Sequence, residues 1–341
     1  MSKTTNIFLT GVTGYIGGSV LLRLLEHPDV ATFKFTALVR SEEKVKKLQA
    51  LGVNAVRGSL QDLALLESLA SEADIVISLA DSDDVPAIKA ILAGSRNYHA
   101  KKGSVPVLIQ TSGTGVLADD AAGFDLPETQ TYDDLNADQI ETLPATQQHR
   151  PVDLELVSAD KQGYVKTYIV LPSMIYGVPR GILVEQGIQN PYAILIPSLV
   201  RGSVARGRAG MVGPGLNFWP NVHVDDVADL YLILFNKIRQ SPESVAHGRE
   251  GYYFVENGKH NFIQVGKAIG EAMVLLGKST DSEPSTFTDE EINKYFDGSR
   301  LWGSNSRCIA NRSRSIGWKP THTSLDMLAS VLPDVQRLSS E

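Results

Sequence analysis

The stretch Thr10-Gly-Val-Thr-Gly-Tyr-Ile-Gly17 decides the fold of this chain, because three glycines stand three residues apart in it. The residues before it, Asn6-Ile-Phe-Leu-Thr10, have the composition of a strand, and Ser19–Glu26 after it has that of a helix. Glycine lets a backbone turn tightly and approach a pyrophosphate, whose charge the N-terminus of the following helix stabilises. The stretch therefore predicts a dinucleotide-binding turn, with a packing turn that binds no ligand as the alternative.

Strand and helix patterns go on alternating beyond this turn. Apolar, β-type runs follow at Phe33–Val39, Val53–Val56, Asp74–Ala80, Val105–Thr111 and Thr167–Leu171, and helix-like segments stand between them at 42–51, 63–70 and 85–101. Strands separated by helix-length segments are typical of a parallel sheet with helices on both faces. The sequence therefore predicts an α/β fold with a doubly wound parallel Rossmann sheet.

The length of 341 residues predicts one large domain and a smaller one. We place the dinucleotide-binding domain at residues 1–171 and interpret its acidic segment at about 119–148 as a solvated insertion. Residues 172–341 are expected to form mainly a smaller, substrate-binding lobe, since 172–215 are rich in the glycine and proline of loops. A helix at 221–238 is expected to pack on the first domain as well.

Composition excludes several classes of function. The net charge of −7 argues against nucleic acid as a partner, and a single cysteine excludes an internal disulfide framework. No apolar run is long enough to span a membrane, and Met1–Asn6 does not resemble a secretory signal, so we expect a cytoplasmic protein. His223-Val-Asp-Asp226 resembles a metal cluster, but aspartate before an apolar helix more often caps it, so we predict no metal.

The end of the second strand indicates which nucleotide is bound. NAD enzymes usually place an acidic residue there to hold the ribose 2′-hydroxyl. This chain has Arg40-Ser41 instead, with Lys44 one turn further on. A guanidinium with a hydroxyl and an ammonium beside it suits a 2′-phosphate, so we predict NADP(H), with an exposed surface arginine as the alternative.

These residues resemble the extended and atypical short-chain dehydrogenases/reductases, including their epimerase/dehydratase-like and NmrA-like members. Besides the glycine turn, the resemblance is carried by Asp74–Ala80, Leu108-Ile-Gln-Thr-Ser-Gly113, Thr167–Gly177 with its Pro-x-x-x-Tyr-Gly end, Val222–Ala228 and Gly317-Trp-Lys-Pro320. It implies that the end of the fourth strand and the turn after the sixth flank the cofactor. The expected cofactor-binding residues are Gly11, Thr13, Gly14, Tyr15, Ile16, Gly17, Arg40, Ser41, Lys44, Leu79, Ala80, Pro172 and Met174.

One departure affects the chemistry that the resemblance implies. The family uses a Tyr-x-x-x-Lys pair on a helix to donate a proton and hold the ribose, and this sequence has no such pair where that helix is expected, before the strand at Thr167–Leu171. His149-Arg-Pro-Val-Asp153 has the same spacing, and Asp153 would favour the imidazolium form of His149 if both lay on one helix face. A structural cluster is the alternative, because Pro151 makes a regular helix doubtful.

Two other hydroxyl groups are candidates for catalysis. Ser112, at the carboxyl end of a parallel strand, could hydrogen-bond a substrate carbonyl, or it could cap a loop. Tyr176 is a second proton donor besides His149, with packing beside the cofactor as its alternative, and water is a third.

The function these features predict is an NADP(H)-dependent oxidoreductase that reduces a small carbonyl compound. A non-catalytic NADP(H) sensor and a redox-neutral epimerase or lyase are the alternatives, because the catalytic pair is missing. By analogy of fold we expect a homodimer.

Overall fold

The computed structural model describes residues 4–340. Its strands are β1 (Thr5–Thr10), β2 (Phe33–Val39), β3 (Asn54–Arg57), β4 (Ile75–Ser78), β5 (Val107–Thr111), β6 (Tyr132–Asp133), β7 (Lys166–Pro172), β8 (Met174–Tyr176), β9 (Gly210–Met211), β10 (Phe218–His223), β11 (Tyr252–Val255), β12 (Lys259–Asn261), β13 (Ser285–Thr286) and β14 (Cys308–Ile309). Its helices are α1 (Tyr15–Leu25), α2 (Glu42–Ala50), α3 (Leu63–Ala70), α4 (Val85–Lys102), α5 (Ala137–Glu141), α6 (Arg150–Lys161), α7 (Ile182–Glu185), α8 (Leu195–Arg206), α9 (Val224–Gln240), α10 (Phe262–Leu275), α11 (Asp289–Phe296), α12 (Asn311–Ser315), α13 (Ser324–Ala329) and α14 (Val331–Leu338).

The core of the fold is a seven-stranded sheet in the order β3-β2-β1-β4-β5-β7-β11. Every neighbouring pair in it is parallel. Its inner strands β4 and β5 are buried along their whole length because helices cover both faces, with α1 packed on α9 and α4 packed between α3 and α6. The predicted doubly wound Rossmann sheet is confirmed. The strand order reverses between β1 and β4, so a crevice opens outside their carboxyl ends.

A smaller lobe has an apolar core of its own. Residues from α8, α10, α11, α13 and α14 meet there, beside the three-stranded sheet β12-β10-β8. Our expectation of loops at 172–215 is wrong at α8: Pro197 lies in the first turn, where its missing N–H breaks no helical bond, and Gly202 lets the rings of Phe287 and Phe296 approach.

The chain does not leave the large sheet for good after residue 171. Strand β11 forms its edge beside β7, helix α9 covers one face, and Trp318 is buried in the same core. The predicted helix at 221–238 is therefore present and packs as expected. The smaller lobe is therefore discontinuous, because these parts of the second half pack on the first domain.

Two acids of the acidic insertion tie it into the fold. Asp134 is 1% exposed and accepts hydrogen bonds from the backbone N–H groups of Arg312, Ser313 and Phe254. Burial raises its pKa to about 7. Asp119 accepts from the backbone N–H and the side-chain amide of Asn305. Our interpretation of the segment as solvated is wrong for these two acids, which hold it to the C-terminal part of the chain.

Within residues 4–340, no helix is both long enough and apolar enough to cross a membrane.

Candidate functional site

The glycine turn is closed by backbone contacts that leave no room for side chains. Gly11 has a φ of +72°, and a Cβ on it would lie 2.5 Å from the carbonyl carbon of Leu79. A Cβ on Gly17 would overlap the carbonyl oxygen of Gly11. Gly14 is the N-cap of α1 and supplies no side-chain acceptor, so the first N–H groups of the helix face the crevice without a protein cap. Such a helix end is a ready anion site.

A cleft of about 560 Å³ opens beside this turn. Seven of the expected cofactor-binding residues line it: Gly11, Thr13, Gly14, Arg40, Lys44, Leu79 and Ala80. The other six, Tyr15, Ile16, Gly17, Ser41, Pro172 and Met174, lie outside its lining. Asn190, which the sequence analysis missed, closes the cleft from the second half of the chain and donates its backbone N–H to the carbonyl of Thr13. The structure thus brings seven of the thirteen predicted residues together in one cleft.

Positive charge without an acidic partner marks one end of this cleft. Arg40 is exposed and forms no ion pair within the described part of the chain. Desolvation lowers the pKa of Lys44. The two acids at the start of α2 are engaged elsewhere: Glu43 pairs with Lys47, and Glu42 lies 4.0 Å from Arg57. Ser41 caps α2 by accepting from the backbone N–H of Lys44. This end of the cleft therefore presents two cations and a helix N-terminus.

His149 occupies a strained position at the start of α6. It is the N-cap of the helix, and its φ of +66° lies in the left-handed region, which costs a non-glycine residue about 1–3 kcal/mol. One carboxylate oxygen of Asp83 holds it there, since it accepts from the backbone N–H at 2.8 Å and lies 2.9 Å from Nδ1. Pro151, in the first turn, initiates α6 rather than breaking it.

The other ring nitrogen of His149 faces the loop after β5. A Cβ placed on Gly113 would lie 3.1 Å from Nε2, and one on Gly115 would lie 3.3 Å from it. Nε2 has no hydrogen-bond partner within residues 4–340, and the side chain is 14% exposed. The imidazole therefore lies between two loops. Its Nδ1 contacts Asp83 in the loop after β4, and its Nε2 faces the loop after β5.

The structure separates the two side chains that the spacing had joined. The backbone N–H of Asp153 donates to the carbonyl of His149, but its fully buried carboxylate accepts a hydrogen bond from the hydroxyl of Ser112 at 3.2 Å. Burial raises the pKa of Asp153 to about 7. Our expectation that Asp153 would favour the imidazolium is wrong, because His149 is an N-cap with a left-handed backbone and its ring pairs with Asp83. Asp83, whose separation of 66 residues no local pattern could indicate, takes that place.

The two predicted hydroxyl candidates point away from the crevice. The hydroxyl of Ser112 is turned inward onto Asp153, and successive residues of an extended chain point to opposite sides, so Gly113 is the one that faces His149. Tyr176 is 2% exposed and its hydroxyl donates to the carbonyl of Thr323. Both geometries favour the structural alternatives, a capping serine and a packed tyrosine.

The suspected metal cluster is a helix cap. The His223 side chain accepts from the backbone N–H of Asp225, and Asp226 accepts from the backbone N–H groups of Thr321 and His322. In the described residues 4–340, no three His, Cys, Asp or Glu side chains are grouped so as to hold a metal ion.

Comparison with known proteins finds sequence relatives along most of the chain. Residues 3–95 match the model of the NmrA-like family. The chain is 31% identical over 342 residues to the oxidase ucsJ of Acremonium sp, an alignment that covers 93% of each protein. It is also 27% identical over 177 residues, 50% of each chain, to a 4-hydroxy-2-methyl-3-oxo-4-farnesyl-3,4-dihydroquinoline-1-oxide ketoreductase of Stigmatella aurantiaca.

Solved structures share the fold over almost the whole chain. The dTDP-glucose 4,6-dehydratase of Bacillus anthracis in complex with NAD superposes with a TM-score of 0.64 at 18% identity, covering 99% of this chain and 97% of that one. The UDP-glucose 4-epimerase of Thermus thermophilus in complex with NAD gives a TM-score of 0.62 at 19% identity, covering 98% of each. With its parallel sheet, its glycine turn and a relative 31% identical along 93% of its length, the chain belongs to the short-chain dehydrogenase/reductase family, and its residues 3–95 match the NmrA-like model.

Proposed function

We propose that this protein is an NADP(H)-dependent oxidoreductase that reduces a small carbonyl compound, with His149 as the proton donor. One observation carries the proposal: Nε2 of His149, held by Asp83 through Nδ1, faces the carboxyl end of β5 beside the nucleotide cleft and has no partner within residues 4–340. Hydrogen-bonding of one ring nitrogen to a carboxylate fixes which nitrogen can exchange a proton with a ligand.

The cleft suits a dinucleotide on its own features. The turn at Gly11 and Gly17 leaves a space that a Cβ would fill, and the uncapped start of α1 suits a pyrophosphate. Arg40, Ser41 and Lys44 would hold the 2′-phosphate of NADP(H), since each can donate to phosphate oxygens and no acid takes the usual place opposite a 2′-hydroxyl. The names of two relatives, an oxidase and a ketoreductase, support redox chemistry.

The protein side of the reaction is a proton transfer. A bound reduced nicotinamide supplies hydride to the carbonyl carbon. As negative charge develops on the carbonyl oxygen, Nε2 of His149 donates its proton there, and the product is the alcohol. Asp83 holds the imidazole in place and stabilises its positive charge before the transfer.

The test follows isotope from cofactor to product. The protein is incubated with NADPH deuterated at the transferable position and a panel of aldehydes and ketones, and mass spectrometry looks for deuterium in the alcohols. Binding of NADPH and NADH is measured in parallel by calorimetry. We expect label in a product and tighter binding of NADPH. Tight cofactor binding without label would instead support a sensor or a redox-neutral enzyme, and equal binding of both cofactors would contradict the choice of NADP(H).

A further inference from the structure

A second pocket lies beside the Nε2 side of the His149 ring. It has a volume of about 380 Å³ and lies between the lobes, at the carboxyl end of β5. Its walls come from the loop after β5, from the residues before α6, and from the smaller lobe: Gly115, Ala118, Asp119, Asp120, Ala122, Gln147, Gln148, Ser299, Arg300, Leu301 and Ser304. Gly115 both lines the pocket and approaches Nε2 of His149. A crevice between lobes beside a reactive group is where a small ligand is expected.

The charges that line this pocket differ from those of the nucleotide cleft. Arg300 is its only lining cation among the described residues, and its guanidinium donates to Asp289 at 2.7 Å. Two carboxylates, Asp119 and Asp120, line the same pocket. The lining therefore offers no free cation to neutralise a phosphate or carboxylate.

The two carboxylates have different roles. Both oxygens of Asp119 accept hydrogen bonds from the protein, from Asn305, Thr129 and the backbone N–H of Ala121. Asp120 is exposed and has no protein partner within residues 4–340. The side-chain amide of Gln148, beside Gly115, is also unpaired in that range. A ligand in the pocket thus finds one free carboxylate acceptor and one free amide close to His149.

We propose that this pocket binds the substrate, and that the substrate is a small carbonyl compound with a hydroxyl or ammonium donor and without a phosphate or carboxylate. The carbonyl oxygen lies at Nε2 of His149, and the donor group lies at Asp120. The inference rests on the proposed reductase function and adds the chemical class of its substrate. A like charge placed beside an unpaired carboxylate is strongly disfavoured, whereas a donor is attracted.

Three benzaldehydes of matched size test the proposal, with hydroxymethyl, aminomethyl or carboxyl groups in the para position. Their dissociation constants are measured by calorimetry with NADP⁺ present, where no reduction occurs, and their turnover is measured separately with NADPH. We expect the carboxyl compound to bind at least about tenfold more weakly than the other two. The relative affinities of the hydroxymethyl and aminomethyl compounds tell whether Asp120 accepts from a hydroxyl or pairs with a cation.

Substitution of Asp120 tests whether this residue causes the difference in affinity among the three compounds. Asp120→Asn should weaken the aminomethyl compound and strengthen the carboxyl compound by about two- to fivefold each, as expected of an exposed ion pair. The hydroxymethyl compound should change little, because asparagine retains an acceptor oxygen. Glu128→Gln, which removes an exposed charge from the same insertion outside the pocket lining, is the control and should leave all three unchanged.

The outcomes separate this inference from the proposed function. Binding in the expected order without oxidation of NADPH would support the pocket and overturn the reductase. Turnover with the carboxyl compound preferred, or an Asp120→Asn variant with unchanged preferences, would overturn the pocket and leave the reductase intact. Failure of all three compounds to bind would overturn the pocket as well.

Discussion

The nucleotide cleft and the His149 region lie along the same edge of one sheet, yet they are built in opposite ways. Half of the residues that line the cleft lie between the glycine turn and Lys44, and its two cations, Arg40 and Lys44, form no ion pair within residues 4–340. The His149 region joins distant loops, and both nitrogens that set its geometry are bonded to Asp83, 66 residues away. The glycine turn and the cations proposed to bind the cofactor are therefore set by short stretches of sequence, whereas the position of the proposed proton donor depends on a long-range contact.

The sharpest test of this contrast is His149→Gln. If Nε2 donates the proton, reduction of the carbonyl substrate by NADPH should slow about 10²- to 10⁴-fold, the usual contribution of a general acid, with cofactor affinity unchanged. The matched control is His99→Gln, at a half-buried position near the end of α4 that lines neither pocket. Steady-state kinetics with NADPH measure the effect, and full activity in His149→Gln would remove the imidazole from the mechanism.

Substitution at the other region should change binding and not chemistry. Arg40→Ala should weaken NADPH by about ten- to a hundredfold, because a hydrogen bond to a charged group is worth about 1.5–3 kcal/mol, and should leave NADH nearly unchanged. Arg57→Ala is the control, since that cation ends the neighbouring strand but does not line the cleft. Calorimetric titration decides, and equal losses for the two cofactors would refute the 2′-phosphate contact.

Asp83 should affect turnover by holding the His149 ring in position. Asp83→Ala is expected to lower kcat about tenfold with KM little changed, since His149 loses the carboxylate that holds its strained backbone and its ring. Asp83→Asn keeps an acceptor oxygen and should recover part of the rate. A rise in KM alone, or no recovery with asparagine, would contradict a positioning role.

The smallest expected effect is on the pH dependence of the free energy of unfolding, and it distinguishes the buried carboxyl groups of Asp153 and Asp134. Asp153, whose pKa is raised to about 7 by burial, binds a proton in the folded state that an unfolded chain has released above its ordinary value of 3.8. Its contribution to stability is therefore present at low pH and is lost as pH rises to about 7, by up to about 1.4 kcal/mol per pH unit. Asp153→Asn should remove this slope, as measured by denaturant unfolding between pH 5 and 8.

Asp134 provides the comparison for that measurement. Its pKa is also raised to about 7, but its oxygens accept three backbone N–H groups. Asn has only one acceptor oxygen, so Asp134→Asn should destabilise the protein at every pH in that range, by about 1–3 kcal/mol for the donors left unpaired. The same behaviour in both variants would show that the hydrogen bonds of these carboxyl groups do not decide their effect.

The sequence by itself determined the sheet, the glycine turn and the cations beside it. These depend on local rules: alternation of apolar strands with helices, glycine where a Cβ would overlap backbone, and Arg40 two residues before α2. The prediction of His149 as a candidate came from its spacing to Asp153, whereas the structure pairs its ring with Asp83.

Only the tertiary structure decided which groups meet. The left-handed backbone at His149 took its side chain off the helix face shared with Asp153, and the folding of the loop after β4 brought Asp83 to it. Burial of Asp134 and the inward turn of the Ser112 hydroxyl likewise depend on segments far apart in sequence. A local pattern specifies backbone conformation, whereas pairing between side chains and burial of charge depend on how whole elements pack.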